Sequence, residues 1–396
     1  MIMRLDTQTY KLSDIGVTRK VLQITGVVAF VLTLLGLFVN SDQFFHSYLT
    51  AYVFWLTVSL GGLFFTMMHH LTGAVWSVVL RRITEIIMMT IPVMAILFIP
   101  VIFGIHNLYH WSHGEAVAAD ELLAHKSPYL NTTFFIIRAA VYFTIWILLA
   151  RGLYNVSLRQ DSGYDDRQVK KMRWISALGM VLFAVSVTFA AFDWLMSLDA
   201  HWYSTIFGVY VFSGALVAII SVLIILMALF RRLGILDAEV TYEHYHDLGK
   251  LLFAFMVFWA YMAFSQYFLI WYGNIPEETI WFMHRWEGSW KAVTMLLVLG
   301  HFAIPFFILI VRGTKRNLKA LTFMAAWLLA LHWVDLYWII FPSLHHHGAQ
   351  ISWMDLTAFI GIGGLFLSIF IRQLSRHPVV PVNDPNLEKS VKFINA

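Results

Sequence analysis

The sequence contains no cysteine, and charged residues make up only 13% of its 396 residues. Without cysteine the chain itself cannot ligate an iron–sulfur cluster, attach a c-type haem covalently or form a disulfide. Soluble domains carry about 25% charged residues, so the low charge, together with a hydrophobic content of 60%, excludes a soluble fold. The sequence also lacks a phosphate-binding loop, a nucleophile elbow and an HExxH motif. Its basic residues form no stripe that would bind nucleic acid.

The sequence has instead ten long apolar runs. About 20 apolar residues are needed to cross the hydrocarbon core of a bilayer, and such a run must be helical because its backbone polar groups have no other partners there. We therefore predict an all-α membrane protein with about ten transmembrane helices, at residues 21–39, 48–68, 86–105, 133–153, 174–195, 206–230, 251–271, 290–311, 320–341 and 353–371.

Lysine and arginine are distributed unevenly between the loops. Of the 27, 23 lie in the N-terminal segment, in alternate loops and in the tail, whereas the opposite loops hold only Lys126 and Arg285. Because loops rich in basic residues stay in the cytoplasm, this predicts cytoplasmic segments at 1–20 and 372–396, on either side of a membrane domain at 21–371. Aromatic residues in the opposite loops are predicted to form an interfacial belt: Trp194, Trp202, Trp271, Trp281 and Trp286.

Short motifs recur at an offset of four spans. Asp193-Trp194 closes the fifth span, and Trp333-Val334-Asp335 lies in the ninth. The fourth and eighth spans begin with similar motifs, Arg138-Ala139-Ala140-Val141 and Lys291-Ala292-Val293. This repeat predicts two four-helix bundles, spans 2–5 at 48–195 and spans 6–9 at 206–341, with helices 1 and 10 at the periphery.

Ionisable side chains within membrane helices are costly, at roughly 2.5–3.5 kcal/mol each on insertion scales, and commonly serve a pathway. Imidazoles change charge near neutral pH, and a buried carboxyl exchanges protons with its neighbours. Placed by depth, these groups predict a ladder of proton carriers from the cytoplasmic side to the outer side: His69, His70, Glu85, His301, His332, Asp335, Asp193, Asp199 and His201.

Each of these groups also has a simpler interpretation. Asp193 and Asp199 are placed to neutralise Arg138 or Lys291, and Glu287 lies at a helix start, where an acid favours the helix dipole. The imidazoles are also able to act as ordinary hydrogen-bonding groups between helices. A b-type haem would need two facing histidines, and His301 with His332 is the one pair at a common depth. No metal site is predicted.

Three stretches carry a resemblance to a known family. They are Phe192-Asp193-Trp194-Leu195-Met196-Ser197-Leu198-Asp199-Ala200-His201-Trp202-Tyr203-Ser204-Thr205, His69-His70-Leu71-Thr72-Gly73-Ala74-Val75-Trp76, and the segment from Trp281 to Trp290. With them the chain resembles the ActF membrane subunits of alternative complex III, which belong to the wider NrfD-like, or polysulfide-reductase-type, family. The resemblance covers nearly the whole chain.

The resemblance implies a subunit of a quinol:cytochrome c (electron acceptor) oxidoreductase in the inner membrane of a bacterium, within a respiratory or photosynthetic chain. Its partners would be a paralogous ten-helix subunit that binds quinol (such as menaquinol), an iron–sulfur subunit, multihaem and monohaem cytochrome c subunits, and a terminal oxidase. This chain would hold no cofactor and no catalytic residue, and would supply a proton route. The alternatives are a stand-alone secondary transporter and a purely structural anchor.

Overall fold

The chain is almost wholly helical. The computed structural model describes residues 4–6, 10–13 and 16–394. In these residues, ten helices are long and apolar enough to cross a membrane. They confirm the prediction of an all-α membrane protein with ten spans. The spans, numbered 1 to 10, are Gly16–Val39, Ser41–Thr72, Val78–Phe103, Thr132–Gln160, Asp166–Leu198, Phe207–Arg232, Tyr242–Gly273, Trp290–Leu309, Leu318–Ser343 and Trp353–Leu374.

Shorter elements lie at both ends of the spans. Before span 1, strands β1 (Arg4–Asp6) and β2 (Lys11–Ser13) pair as an antiparallel hairpin. Short helices between spans 3 and 4 are Ile105–Leu108, His110–Ser112, Gly114–Ala119 and Glu121–Lys126. Others are Pro276–His284 between spans 7 and 8, Arg312–Arg316 between spans 8 and 9, and Leu387–Val391 in the tail.

The spans pack as two rings of four helices. In the first ring, span 2 contacts spans 3 and 5, and span 4 contacts spans 3 and 5. In the second, span 6 contacts spans 7 and 9, and span 8 contacts the same two spans. The rings meet through spans 2 and 5 of the first and spans 6 and 9 of the second, while spans 1 and 10 pair closely and lie against span 2. These contacts are those expected for two four-helix bundles with a peripheral helix pair.

Span 3 begins earlier than predicted and is interrupted. It starts at Val78 instead of residue 86, so Arg81 and Arg82 belong to the helix and are buried, and Glu85 does not open it. Buried acids compensate the two arginines, as described below, which is why charges are tolerated there. Further along, Pro92 and Pro100 each begin a new short helical segment, because proline lacks the N–H that would continue the preceding turns.

The tail after span 10 packs against the rest of the protein. Span 10 ends at Leu374, and the following chain folds back with Val379 and Val380 fully buried. The Val379 N–H donates to the carbonyl of Tyr10 at 2.9 Å. Ser390 donates to the carbonyl of Trp76 at 2.7 Å. The N-terminal hairpin and the tail therefore meet at the end of the protein that carries Arg81, which we call the basic end.

At the opposite end, three of the five tryptophans predicted for an interfacial belt lie inside the protein. Trp194, Trp202 and Trp281 are 2–3% exposed, and the rings of Trp202 and Trp281 stack with centroids 4.3 Å apart. Only Trp271 and Trp286 are exposed. We call this end, with its packed indole rings, the aromatic end. The belt prediction is wrong for the first three because these rings fill the space between helix ends.

Candidate functional site

Glu85 lies at the centre of a buried ion cluster at the basic end. Its carboxylate is 3.2 Å from Nε of Arg81 and 3.4 Å from Nη1 of Arg82. The Ser157 hydroxyl from span 4 donates to it at 2.8 Å. None of the three charged side chains is more than 3% exposed. Glu85 is therefore a buried carboxylate held between two helices.

Two further acids complete this cluster from distant parts of the chain. Asp161, in the loop between spans 4 and 5, accepts two hydrogen bonds from Arg82 at 2.6 and 2.8 Å. Asp384 in the tail accepts one from Arg81 at 2.5 Å. Burial raises the pKa of the Asp161 carboxyl, and the charge of Arg82 opposes this rise. Three acids therefore contact two arginines in this cluster.

His69 and His70 close span 2 next to this region. Nδ1 of His69 is 2.7 Å from the Ser77 hydroxyl, and the two imidazole rings are 5.3 Å apart, edge to face. Both side chains are buried. Nε2 of His70 has no hydrogen-bond partner among the described residues. The structure thus brings the three predicted residues of the cytoplasmic side, His69, His70 and Glu85, to the same end of one bundle.

Separate pairs of hydrogen-bonding side chains, which the sequence analysis missed, occur further along span 2. The Thr66 hydroxyl donates to the Thr84 hydroxyl at 3.0 Å, and the hydroxyls of Ser59 and Thr90 are 2.7 Å apart. Thr84 and Thr90 belong to span 3. Thr57 then lies 2.9 Å from Nε2 of His332, in span 9. These groups, with the pair of His69 and Ser77, form what we call the hydroxyl seam. From His69 to Thr57 the seam extends about 18 Å, at about 1.5 Å per residue.

Asp335 lies one turn beyond His332 in the second bundle. It accepts hydrogen bonds from the Tyr210 hydroxyl and, at 3.0 Å, from Nε1 of Trp259. His301 stacks on the same Trp259 ring with centroids 3.9 Å apart, and neither of its nitrogens has a partner among the described residues. No lysine or arginine in the described part of the chain forms an ion pair with Asp335, which is 3% exposed. It is a buried acid held by neutral donors alone.

His301 owes its position to an irregular helix. Residues Leu297–Ala303 of span 8 form a π-helix, and Pro305 is the second residue of the helix that follows. A π-helical turn contains one residue more than an α-helical turn and occurs often at functional sites. His301 lies within this π-helix and faces Trp259 of span 7.

Asp193 has a different environment, although its motif is similar. Nε and Nη2 of Arg138 bind its two oxygens at 2.8 and 2.9 Å, and Tyr142 donates to it at 2.8 Å. Arg138 also lies over the ring of Tyr129 at 3.9 Å. The simpler interpretation of Asp193 is therefore the one that the structure matches: it neutralises Arg138 inside the first bundle.

Four other predicted residues lie outside the bundle interior. His201 is exposed in a loop and binds Asp120 at 2.6 Å, an interaction that lowers the pKa of the Asp120 carboxyl. Asp199 is half-buried after the end of span 5. Lys291 and Glu287 are exposed, and Lys291 lies 5.2 Å from the ring centre of Trp286 instead of pairing with an acid. His201 and Glu287 lie between helices, and Lys291 is the second residue of span 8. Neither Lys291 nor Glu287 forms an ion pair in the described residues, and the proton-carrier role of His201 stays a prediction.

Arg285 was expected in an open loop, yet it is only 4% exposed. Its guanidinium donates to the carbonyls of Trp281, Trp338 and Ile339 at 2.8–3.1 Å, and lies 3.4 Å from the ring centre of Trp281. No carboxylate within 4.0 Å pairs with it in the described part of the chain. Three tryptophans, at 281, 286 and 290, surround it in sequence. They are the signal from which its burial could have been inferred.

The described residues therefore form an ordered set: an ion cluster at the basic end, the hydroxyl seam, and Asp335 in the second bundle. Hydroxyls both donate and accept hydrogen bonds, and carboxyls and imidazoles bind and release protons. Comparison with the models of known protein families gives no match, and comparison with curated proteins gives none either.

Proposed function

We propose that this chain is a proton-carrying membrane subunit of a quinol:cytochrome c oxidoreductase of the alternative complex III type. The observation that carries the proposal is the hydroxyl seam, whose separate pairs lie between the buried cluster around Glu85 and His332, three residues before Asp335. The motif around Asp193 and Asp199, with its resemblance to ActF subunits, supports the choice of complex. Electron transfer belongs to the haem and iron–sulfur subunits, and this chain contributes the proton route.

In this proposal a proton moves from the cytoplasm to the second bundle. It is taken up at the cluster of Glu85 and Asp161, where three acids face two arginines, and passes to His69 and the hydroxyls of span 2. His332 receives it from Thr57 and delivers it to Asp335. Because only Tyr210 and Trp259 hold Asp335, a proton arrives and leaves there without breaking an ion pair.

Its partners follow from the same proposal. The chain packs against a paralogous ten-helix subunit that oxidises quinol, and the iron–sulfur and cytochrome c subunits lie on the periplasmic side. Both termini are then cytoplasmic, in a bacterial inner membrane. Isolation of the tagged chain from native membranes is expected to bring multihaem and iron–sulfur partners with it. Isolation of the chain alone would indicate the secondary transporter instead.

The interrupted helices do not favour a transporter. Transporters of repeat architecture break corresponding helices in both halves. Here the broken spans are 3 and 8, whereas an offset of four pairs span 3 with span 7 and span 4 with span 8.

The decisive experiment compares Asp335→Asn with Asp193→Asn in the reconstituted complex. An asparagine side chain cannot carry a proton as a carboxyl does, so Asp335→Asn is expected to lower the number of protons moved per electron by at least half, with normal assembly. Asp193→Asn breaks the pair with Arg138 and is expected to lower the yield of assembled complex instead. Normal proton stoichiometry and turnover in Asp335→Asn complexes would favour a purely structural anchor and would contradict the proposal.

A further inference from the structure

A large cavity opens between spans 7 and 8 in their halves toward the aromatic end. The two spans pack together mainly from Leu297 of span 8 onward, so they diverge toward Trp290. The helix Pro276–His284 and the chain that follows it cover the end of the gap. The cavity has a volume of about 920 Å³, at the upper end of the range of about 300–1,000 Å³ that is usual for ligand pockets.

The lining changes from polar to apolar along the membrane depth. Near the aromatic end it includes Asn274 just after span 7, Thr279 in the helix Pro276–His284, Arg285 directly after that helix, and Thr294 near the start of span 8. Deeper in the membrane domain it consists of apolar and aromatic side chains, among them Val257, Ala260, Phe264, Val298 and Phe302. This gradient fits an amphiphile whose polar head lies at the aromatic end and whose tail reaches toward the middle of the protein.

The cavity is open toward the surroundings of the helices. Side chains along its rim are half or more exposed: Tyr261, Phe264, Trp271, Met283, Trp286 and Val298. These residues belong to the sides of spans 7 and 8 and to their covering helix, and they are apolar. An occupant therefore enters laterally, from the hydrocarbon layer, and not from water.

Arg285 indicates which charge the head group of the occupant carries. Its guanidinium has five N–H donors, of which the structure assigns three to backbone carbonyls. No carboxylate neutralises it by direct contact in the described residues. Asp199 acts on it only from a distance, and burial lowers its pKa to about 9, so the guanidinium remains charged at neutral pH. A buried cation with free donors at the polar end of an apolar cavity matches a phosphate ester.

We propose that this cavity binds one phospholipid, with its phosphate at Arg285 and an acyl chain between spans 7 and 8. The site is separate from the hydroxyl seam, although Tyr210 and Trp259, which hold Asp335, form part of its wall. It does not depend on the redox role of the protein. The lipid fills the space behind the two donors of Asp335 and holds them in place.

The test is native mass spectrometry of the full chain, released from vesicles made either of phosphatidylglycerol or of a galactosyl diacylglycerol that lacks phosphate. Ala260→Phe fills the cavity without removing a hydrogen bond, and Ala140→Phe, on an exposed position of span 4, is the matched control. The wild type and Ala140→Phe are expected to retain one phosphatidylglycerol. Ala260→Phe is expected to retain at least tenfold less, and the galactolipid is expected to be retained at least tenfold less by all three.

Three results would overturn the proposal. Equal retention of phosphatidylglycerol by Ala260→Phe and Ala140→Phe would show that the lipid binds elsewhere. Equal retention of the two lipids by the wild type would show that the site does not recognise the phosphate. Loss of a co-purifying quinone, instead of phospholipid, from Ala260→Phe would assign the cavity to a quinone. The thermal stability of Ala260→Phe and Ala140→Phe is measured in the same samples, so that a loss of folding is distinguished from a loss of lipid.

Discussion

Two buried aspartates with similar sequence motifs differ in their chemistry because of their partners. Asp193 shares both oxygens with Arg138 and a third hydrogen bond with Tyr142. Asp335 has only Tyr210 and Trp259. If Asp193 took up a proton, Arg138 would remain as a buried charge without a counter-charge, which is costly. The carboxyl group without a cation is the one suited to carry a proton.

The pair of Arg138 and Asp193 gives a prediction at the residue scale. Arg138→Gln leaves a buried carboxylate with one hydroxyl partner, and removal of one member of a buried pair costs about 3–5 kcal/mol. We therefore expect a clear fall in the midpoint of thermal unfolding in detergent. The double substitution Arg138→Met with Asp193→Leu removes both charges at similar volume and is expected to recover most of the loss. A double variant as unstable as the single one would contradict this account.

At the scale of elements, the pairing of spans 1 and 10 depends on glycine. A Cβ atom at Gly364 would lie 2.5 Å from Cα of Gly26, closer than side-chain carbons approach backbone. The atoms that this Cβ would meet belong to the backbone of span 1 and cannot rotate away. The two helices thus approach more closely than any larger residue permits, as is usual for small residues in membrane helix pairs.

Gly364→Ala is therefore expected to destabilise the protein by about 1–3 kcal/mol, as overpacking does. Gly152→Ala is the matched control, because it is also a mid-helix glycine and its Cβ would meet nothing closer than 3.8 Å. The control should be neutral or stabilising, by up to about 1 kcal/mol, since alanine favours helix more than glycine does. Thermal unfolding of both variants checks this. Equal midpoints for the two would mean that spans 1 and 10 tolerate a wider separation.

The docked tail is expected to respond to pH through His377. Burial lowers the pKa of this imidazole, and the charges of Arg82, Lys11 and Arg376 lower it further. Its ring also packs edge to face on Tyr154. In a detached tail the pKa would return to its ordinary value of about 6.5. Docking is therefore fully favourable above pH 6.5 and weakens as the pH falls below it, because protonation then favours the detached state.

Trypsin cleavage after Lys389, which is exposed, measures this docking. Cleavage should be faster at pH 5.5 than at pH 7.5, relative to a peptide substrate at each pH. His377→Gln should abolish the difference. Asp384→Asn, which removes the contact with Arg81, should accelerate cleavage at both values. A pH effect that persists in His377→Gln would assign it to another group.

At the scale of the whole molecule, the ten spans were predictable because each apolar run is long enough to specify a helix by itself. The start of span 3 was not, because Arg81 and Arg82 are buried through Asp384 and Asp161, which lie 303 and 79 positions away. Ion pairs between residues so far apart leave no local pattern in the sequence. The hydroxyl seam was missed for a related reason. Serine and threonine occur throughout membrane helices, and only packing shows that Thr66 and Thr84 face each other.

The direction of the proposed proton route depends on which end of the molecule faces the cytoplasm. The absence of cysteine allows a direct test, since a single introduced thiol is then the only one in the chain. Ser162 is exposed at the basic end and Thr205 at the aromatic end. In intact cells, a membrane-impermeant maleimide should label Thr205→Cys, and should label Ser162→Cys only after the membrane is permeabilised. The reverse pattern would place the cluster around Glu85 on the periplasmic side, and protons would then enter the seam from the opposite compartment.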